Sequence, residues 1–208
     1  MNVYIKEING IKYNIKAEEV LFFQSQALWK AIQSVPVNEL KEGYKLEIGF
    51  SLYILQNADD GYNIVVPDYT TSPFLETTDD LTLAFLIQME QIKVLQEYNI
   101  SGDRIRFDDE IIVAKDALLK STICLQRFKG LRGSGWCINE IKQDNDGKFE
   151  NVETNEYEVI YAYQLLALRP ALLSVLLLPY DYMAIFNEND CIEILNEKNQ
   201  SVISNDNE

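Results

Sequence analysis

An Asn-Gly pair between two β-rich runs is the most constraining local pattern in this chain. Residues 3–8 and 11–15 alternate apolar and polar side chains and flank Asn9 and Gly10. Both central residues of a type I′ turn have positive φ, which asparagine and glycine tolerate best. The pattern predicts a β-hairpin at the start of the chain. A second hairpin is predicted over residues 46–66, because an Asp-Asp-Gly turn lies between two further apolar runs.

Two amphipathic helices are predicted to accompany these hairpins. Apolar residues at helical spacing predict the first helix over about residues 18–35, and Pro36 helps to end it. The second helix is predicted to begin at residues 77–80, where a threonine would cap it and two aspartates would face its dipole. It is predicted to run to about residue 98.

The rest of the chain is predicted to form short strands and turns. The whole is therefore predicted to be an α+β protein, with antiparallel hairpins and two main helices in an N-terminal region, residues 1–114. A small α+β domain is predicted over residues 115–196, and residues 197–208 are predicted to be a frayed polar tail. Strands are predicted at 104–114, with an acidic interruption at 108–110, and at 121–128 and 136–141. A strand or helix start is predicted at 157–163, a short helix at 170–177, and a hairpin over 182–195.

The charge of the chain narrows its possible partners. Its 33 aspartates and glutamates exceed its 18 lysines and arginines, so the formal net charge is −15. A field of that sign repels phosphate backbones and anionic lipids, so neither nucleic acid nor a membrane is expected as a partner. It attracts cationic proteins and speeds their encounter. Solubility alone is the simpler explanation of the same charge.

Cysteine use and hydropathy predict a cytoplasmic protein. Cys124, Cys137 and Cys191 are three scattered thiols without a Cys-x-x-Cys pair, which argues against a disulfide framework and a cysteine zinc site. The first residues contain no apolar run of the kind that a signal peptide needs. The most apolar stretch, residues 162–178, is interrupted by Arg169 and Pro170.

Catalysis is not expected, because the sequence contains no histidine. Nucleophilic sites activated by histidine and metal sites that contain it are therefore excluded. Carboxylate clusters are the remaining candidates for a catalytic or metal site. Each of them also has a local explanation as a turn, a helix start or a bulge. No cofactor or metal is predicted. The clusters are instead candidate partner-binding residues: Asp59, Asp60, Asp79, Asp80, Asp108, Asp109 and Glu110.

A glycine-rich loop at residues 129–135 joins two predicted strands. It could hold an anion through backbone N–H groups. It lacks the lysine-serine ending of a phosphate-binding loop, and it leads into a strand. A flexible hairpin connection is the interpretation that the sequence favours.

Several stretches between residues 123 and 195 resemble one family. Arg127 with its neighbours, and then Ser134, Gly135 and Trp136, are similar to that family's arginine strand and Asp-Ser-Gly-Trp core. Residues 157–163, 169–173 and 178–186, the last with its proline turn at Pro179, resemble its later segments. The family is the class called immunity protein 33, found in bacterial polymorphic toxin systems. This chain departs from the pattern at residue 133, where glycine replaces the usual aspartate, and at residues 180–181, where Tyr-Asp replaces small residues.

The resemblance implies a non-catalytic protein that blocks a cognate toxin by stoichiometric binding. The acidic charge favours a basic toxin, and Arg127, Ser134, Gly135, Trp136 and Pro179 are carried over as family positions. Two alternatives stay open. One is an enzyme in which carboxylates such as those at residues 79, 80, 108 and 109 hold a metal. The other is a housekeeping interaction module.

Overall fold

The computed structural model describes residues 1–144 and 148–203. The chain divides into two compact units, Met1–Glu90 and Gln91–Glu208. Each unit is built on one β-sheet, and few residues are helical, so the predicted α+β class is confirmed. In the part of the chain that is described, no helix is both long and apolar enough to cross a membrane.

The first unit contains a six-stranded sheet. The strand order is β1-β2-β5-β4-β3, and β6 pairs with β5. Neighbouring strands are antiparallel except β2 and β5, which run parallel. The prediction of antiparallel hairpins alone was therefore incomplete. The strands are β1 (Asn2–Ile8), β2 (Ile11–Ala17), β3 (Lys45–Ile48), β4 (Ser51–Ala58), β5 (Gly61–Pro67) and β6 (Thr77–Thr78).

Both predicted N-terminal hairpins are present. Asn9 and Gly10 have φ values of 52° and 78° and join β1 to β2, as the type I′ pattern predicts. The second hairpin is β4–β5, closed by the turn at residues 59–60. The first arm of the hairpin predicted over residues 46–66 is divided, because Gly49, at φ 57°, turns the chain and makes β3 a separate strand.

The two main helices are α1 (Phe22–Gln33) and α2 (Thr82–Glu97), and the division between the units falls within α2. The predicted start of the second helix was wrong. Thr77 and Thr78 pair with β5 as strand β6. The Asp80 carboxylate instead accepts the backbone N–H of Thr82 at 3.0 Å, so an aspartate stabilises the start of α2. Apolar side chains from the sheet and the helices are buried, including Tyr13, Ile15, Leu28, Ile32, Tyr53 and Phe85.

The second unit contains a seven-stranded sheet. The strand order is β11-β7-β9-β8-β12-β13, and β10 pairs with β9. Strands β7 and β9 are parallel, and the other pairs are antiparallel. The strands are β7 (Glu110–Ala114), β8 (Thr122–Arg127), β9 (Trp136–Gln143), β10 (Phe149–Asn151), β11 (Tyr157–Tyr161), β12 (Met183–Asn187) and β13 (Asp190–Leu195).

The strand predicted over residues 104–114 is shorter than expected. Only β7 is extended, because residues before it form a turn in which the Asp109 N–H donates to the Arg106 carbonyl. The Asp109 carboxylate in turn accepts the Arg106 N–H at 2.7 Å. Residues after β11 form short helical segments, α3 (Leu165–Leu168) and a 3-10 helix, Pro170–Val175, which begins with the predicted proline.

The end of β13 is covered along its outer edge by the chain that follows it. The Val202 N–H donates to the Ile194 carbonyl at 2.9 Å, and Ser201 forms an isolated bridge with Leu195. These residues belong to the segment 197–208 that was predicted to fray, of which 204–208 lie outside the described residues.

The domain boundary predicted between residues 114 and 115 stays a prediction about which segments fold independently.

Candidate functional site

Arg127, the last residue of β8, is the centre of a buried polar cluster in the second unit. Its side chain is 1% exposed. The guanidinium donates to the backbone carbonyls of Ser134 at 3.0 Å, Leu178 at 2.8 Å and Arg104 at 2.7 Å. Burial lowers the pKa of Arg127, although an arginine stays charged under all ordinary conditions. One side chain therefore ties three separate segments to the end of β8.

Two aromatic rings complete the surroundings of Arg127. The guanidinium carbon lies 4.5 Å from the centroid of the Tyr180 ring and 5.7 Å from that of Trp136. Contacts at these distances stabilise a cation through the negative face of the ring. Trp136 is fully buried, and its indole N–H donates to the Leu176 carbonyl at 3.1 Å. The family positions Arg127 and Trp136 thus pack together.

Ser134 fastens the glycine-rich loop to the start of β7. Its hydroxyl donates to the Glu110 carbonyl at 2.6 Å and accepts the Trp136 N–H at 3.2 Å. Its own N–H also donates to the Glu110 carbonyl. Because Ser134 is 3% exposed and its hydroxyl is already used, it is held inside the unit. Its position indicates a structural role.

Glycines on both sides of Ser134 make this close approach possible. Gly133 has φ 69°, and a Cβ there would lie 2.8 Å from the Glu110 Cβ. Gly135 has φ 83°, and a Cβ there would lie 2.8 Å from the Phe128 carbonyl oxygen and 2.7 Å from the Tyr180 ring. The glycine at residue 133, where the resemblance leads one to expect aspartate, therefore has a steric reason in this chain.

The turn after Pro179 closes the cluster from another side. The Tyr182 N–H donates to the Pro179 carbonyl, and the Asp181 N–H donates to the Arg127 carbonyl at 2.6 Å. The Asp181 carboxylate also accepts from the Lys129 amine at 2.6 Å. Pro179 therefore starts a turn that returns the chain to β8. All five family positions lie in or beside one buried cluster.

Two candidate acidic residues of the first unit, Asp60 and Asp79, lie on its surface beside lysines of β2. Asp60 forms an ion pair with Lys12, and Asp79 forms one with Lys16 at 3.0 Å. Between these pairs the Asn14 amide donates to the Asn63 side chain at 3.0 Å. Both aspartates and both lysines line a groove of about 230 Å³. The structure thus brings Asp60 and Asp79 to one groove.

The other two acids of this unit differ from each other. Asp59 is exposed in the turn between β4 and β5. Asp80 is half-buried, and its carboxylate accepts the first N–H of α2. Asp59 is therefore available at the surface, while Asp80 stabilises a helix start.

The acidic residues of the second unit are partly engaged in local structure. Asp108 forms two hydrogen bonds with the Arg106 guanidinium, at 2.8 and 2.9 Å. Asp109 closes the turn described above, and Glu110 pairs with Arg132 at 3.1 Å. Among the described residues, no three cysteine, aspartate or glutamate side chains are grouped so that they could hold a metal ion.

Comparison with protein families identifies the second unit. The model of the Imm33-like domain matches residues 90–197, which is more than half of the chain. The chain belongs to the Imm33-like family. No curated protein matches the chain, and no solved structure does.

The resemblance inferred from residues 123–195 is thereby confirmed, and the Imm33-like match extends further towards the N-terminus. The matched segment begins within α2 and includes β7. The Glu110 carbonyl of β7 accepts the hydrogen bond from the Ser134 hydroxyl. The matched segment also includes the carbonyl of Arg104, a hydrogen-bond acceptor for Arg127. The partners of the family positions thus lie within the matched segment.

Sequence reasoning missed a second buried arginine in the Imm33-like unit. Arg169 is 6% exposed and donates to the carbonyls of Lys120 at 2.7 Å, Ser121 at 3.1 Å and Glu188. It therefore fastens the start of β8, as Arg127 fastens its end. The available signal was an Arg-Pro pair inside an apolar stretch, which interrupts a possible membrane span and belongs to the family resemblance, but which does not by itself indicate the contacts of Arg169.

Proposed function

We propose that this Imm33-like protein neutralises a cognate bacterial toxin by binding it stoichiometrically through an acidic surface, without chemistry of its own. Membership of an immunity-protein family supports this proposal most directly. The net charge of −15 supports a basic partner, since opposite charge speeds association and favours the correct encounter. An inhibitor of this kind needs affinity and no reactive group, which agrees with a sequence that contains no histidine.

The contacts of the acidic residues rank them as candidates for this surface. The side chains of Asp60 and Asp79 are 59% and 53% exposed, although each is paired with a lysine. Such surface ion pairs contribute only about 0 to 1 kcal/mol, so a cation of the partner can replace the lysine. Together with exposed Asp59, these two residues are the strongest candidates.

The remaining acids are weaker candidates because they hold local structure. Asp80 and Asp109 accept backbone N–H groups, and Asp108 is 28% exposed beneath a two-point contact with Arg106. Glu110 is 31% exposed and paired with an arginine. Recruiting these carboxylates to a partner would break hydrogen bonds within the unit.

Binding to the product of the adjacent upstream gene tests the proposal. The two purified proteins would be mixed at about 50 mM and at about 500 mM salt, and the affinity and stoichiometry measured by calorimetry. We expect one-to-one binding that weakens as salt rises, because screening reduces attraction between exposed charges. Absence of binding at low salt would contradict the proposal.

Matched charge variants locate the surface. Asp60→Asn combined with Asp79→Asn removes two carboxylates from the groove of the first unit. Glu19→Gln combined with Glu39→Gln removes the same charge at exposed positions outside it. We expect the aspartate pair to weaken binding at least tenfold more than the glutamate pair. Equal effects would show that only net charge matters.

A further inference from the structure

Strand β11 lies at one edge of the second sheet, and its outer edge pairs with no strand among the described residues. At the opposite edge of this sheet, the last residues of β13 are covered by the return of residues 201–202. Exposed strand edges favour pairing with another chain, and proteins usually cover or charge them. The two edges of one sheet therefore differ in whether the chain protects them.

The register of β11 shows which backbone groups face outward. The Lys115 N–H donates to the Glu156 carbonyl, and the Ala162 N–H donates to the Asp109 carbonyl. Inward and outward residues alternate along an antiparallel strand. Between these two bonds, the strand pairs Tyr157 with Ala114 and Val159 with Ile112. The N–H and C=O groups of Tyr157 and Val159 therefore point away from β7.

The same residues also present apolar side chains. Tyr157 and Val159 are each 51% exposed, and Tyr161 is 39% exposed. Their alternation places them on one face of the strand, whereas Ile160 between them is 9% exposed. Aromatic residues of this kind are common anchors of protein interfaces. An open edge and an exposed apolar face thus coincide in residues 157–161.

The charges around this edge indicate the chemistry of what it binds. Glu153, Glu156 and Glu158 lie on β11 and the segment that leads into it, and all are exposed. Lys115 pairs with Glu156 at the surface, while no described cation forms an ion pair with Glu153 or Glu158. Such a site attracts a segment that carries lysine or arginine.

The geometry points to β11 as the docking site for an extended, basic segment of the cognate toxin, which adds to the sheet as a further strand. This inference rests on the proposed function. Backbone hydrogen bonds to Tyr157 and Val159 would supply affinity. On one face of the added strand its cationic side chains would contact Glu156 and Glu158, and on the other face its apolar side chains would pack against Tyr157 and Val159.

Hydrogen exchange on the unmodified protein tests strand addition directly. The amides of Tyr157 and Val159 would be followed at residue resolution, alone and with the product of the adjacent upstream gene. We expect their exchange to slow at least tenfold in the complex, because both N–H groups become hydrogen-bonded. Unchanged exchange at both amides in a complex that forms would overturn the inference and leave the proposed function standing.

A matched pair of lysine substitutions provides the second test. Val159→Lys places a cation at the open edge, and Ile192→Lys places one on β13 at the opposite edge of the sheet, where Ile192 is 44% exposed. We expect Val159→Lys to raise Kd at least tenfold and Ile192→Lys to change it less than twofold, with thermal unfolding confirming that both variants fold. Equal affinities would refute the inference alone. If the unmodified chain binds nothing, the proposed function and this inference both fail.

Discussion

The guanidinium of Arg127 lies 4.5 Å from the centroid of the Tyr180 ring. This contact joins the end of β8 to the turn that begins at Pro179. Tyr180 is also one of the positions at which this chain departs from the pattern that the resemblance implies. The tyrosine that replaces a small residue at position 180 therefore contacts the buried guanidinium of Arg127, which is 1% exposed.

Replacing Arg127 by methionine is expected to destabilise the protein by about 1 to 3 kcal/mol for each buried acceptor that loses its hydrogen bond. The loss arises because three buried carbonyls would lose their donor. Arg132→Met is the matched control, since the Arg132 side chain is 74% exposed and its ion pair should contribute less than about 1 kcal/mol. Urea unfolding of both variants measures the difference, and equal losses would refute the structural role of Arg127.

Gly135→Ala and Gly130→Ala separate steric crowding from backbone strain. Both glycines have nearly the same φ, 83° and 82°, so alanine should cost about 1 to 2 kcal/mol of conformational strain at either. Only at Gly135 would the new Cβ also meet the Phe128 carbonyl and the Tyr180 ring. We expect an additional loss of about 1 to 3 kcal/mol for that variant, as for other overpacked sites. The comparison uses denaturant midpoints, and similar midpoints would contradict the tight packing around Gly135.

Stability should fall in alkaline solution because two thiols stay protonated only in the folded state. Burial raises the pKa of Cys124 and of Cys191 to about 12, whereas an unfolded thiol ionises near about 8.5. Above the lower value the unfolded state loses protons that the folded state keeps. Unfolding is then favoured by up to about 1.4 kcal/mol per pH unit for each thiol.

Unfolding free energies measured between pH 8 and pH 10 test this dependence. The control protein carries Cys124→Ala and Cys191→Ala, which remove both ionisations. We expect its stability to decline less steeply over this range than that of the unmodified chain. Parallel declines would show that the thiols are not shielded as the structure indicates.

Sequence patterns correctly predicted those elements whose geometry depends on residues adjacent in the chain. Asn9 and Gly10 adopt the positive φ values that their turn requires, and Pro170 begins a helical segment. The start of α2 was misplaced because Thr77 and Thr78 pair with β5, a contact that no helix-start pattern contains. Tertiary pairing overrode a local preference there.

Contacts between distant segments could not be predicted from the sequence. The parallel pairs β2–β5 and β7–β9 join strands that are far apart in the chain. In the same way, the acidic residues were identified as charges, but the pairing of Asp60 with Lys12 and of Asp79 with Lys16 depends on the fold. The assignment of the seven acidic residues to a partner surface stays a prediction.

The most direct test of the central claim is protection of cells by this protein. The product of the adjacent upstream gene would be expressed from an inducible promoter, alone and together with the unmodified chain or with the Asp60→Asn, Asp79→Asn variant. We expect growth arrest alone, recovery with the unmodified chain, and weaker recovery with the variant although it is equally abundant. Growth arrest that the unmodified chain does not relieve would contradict the immunity function.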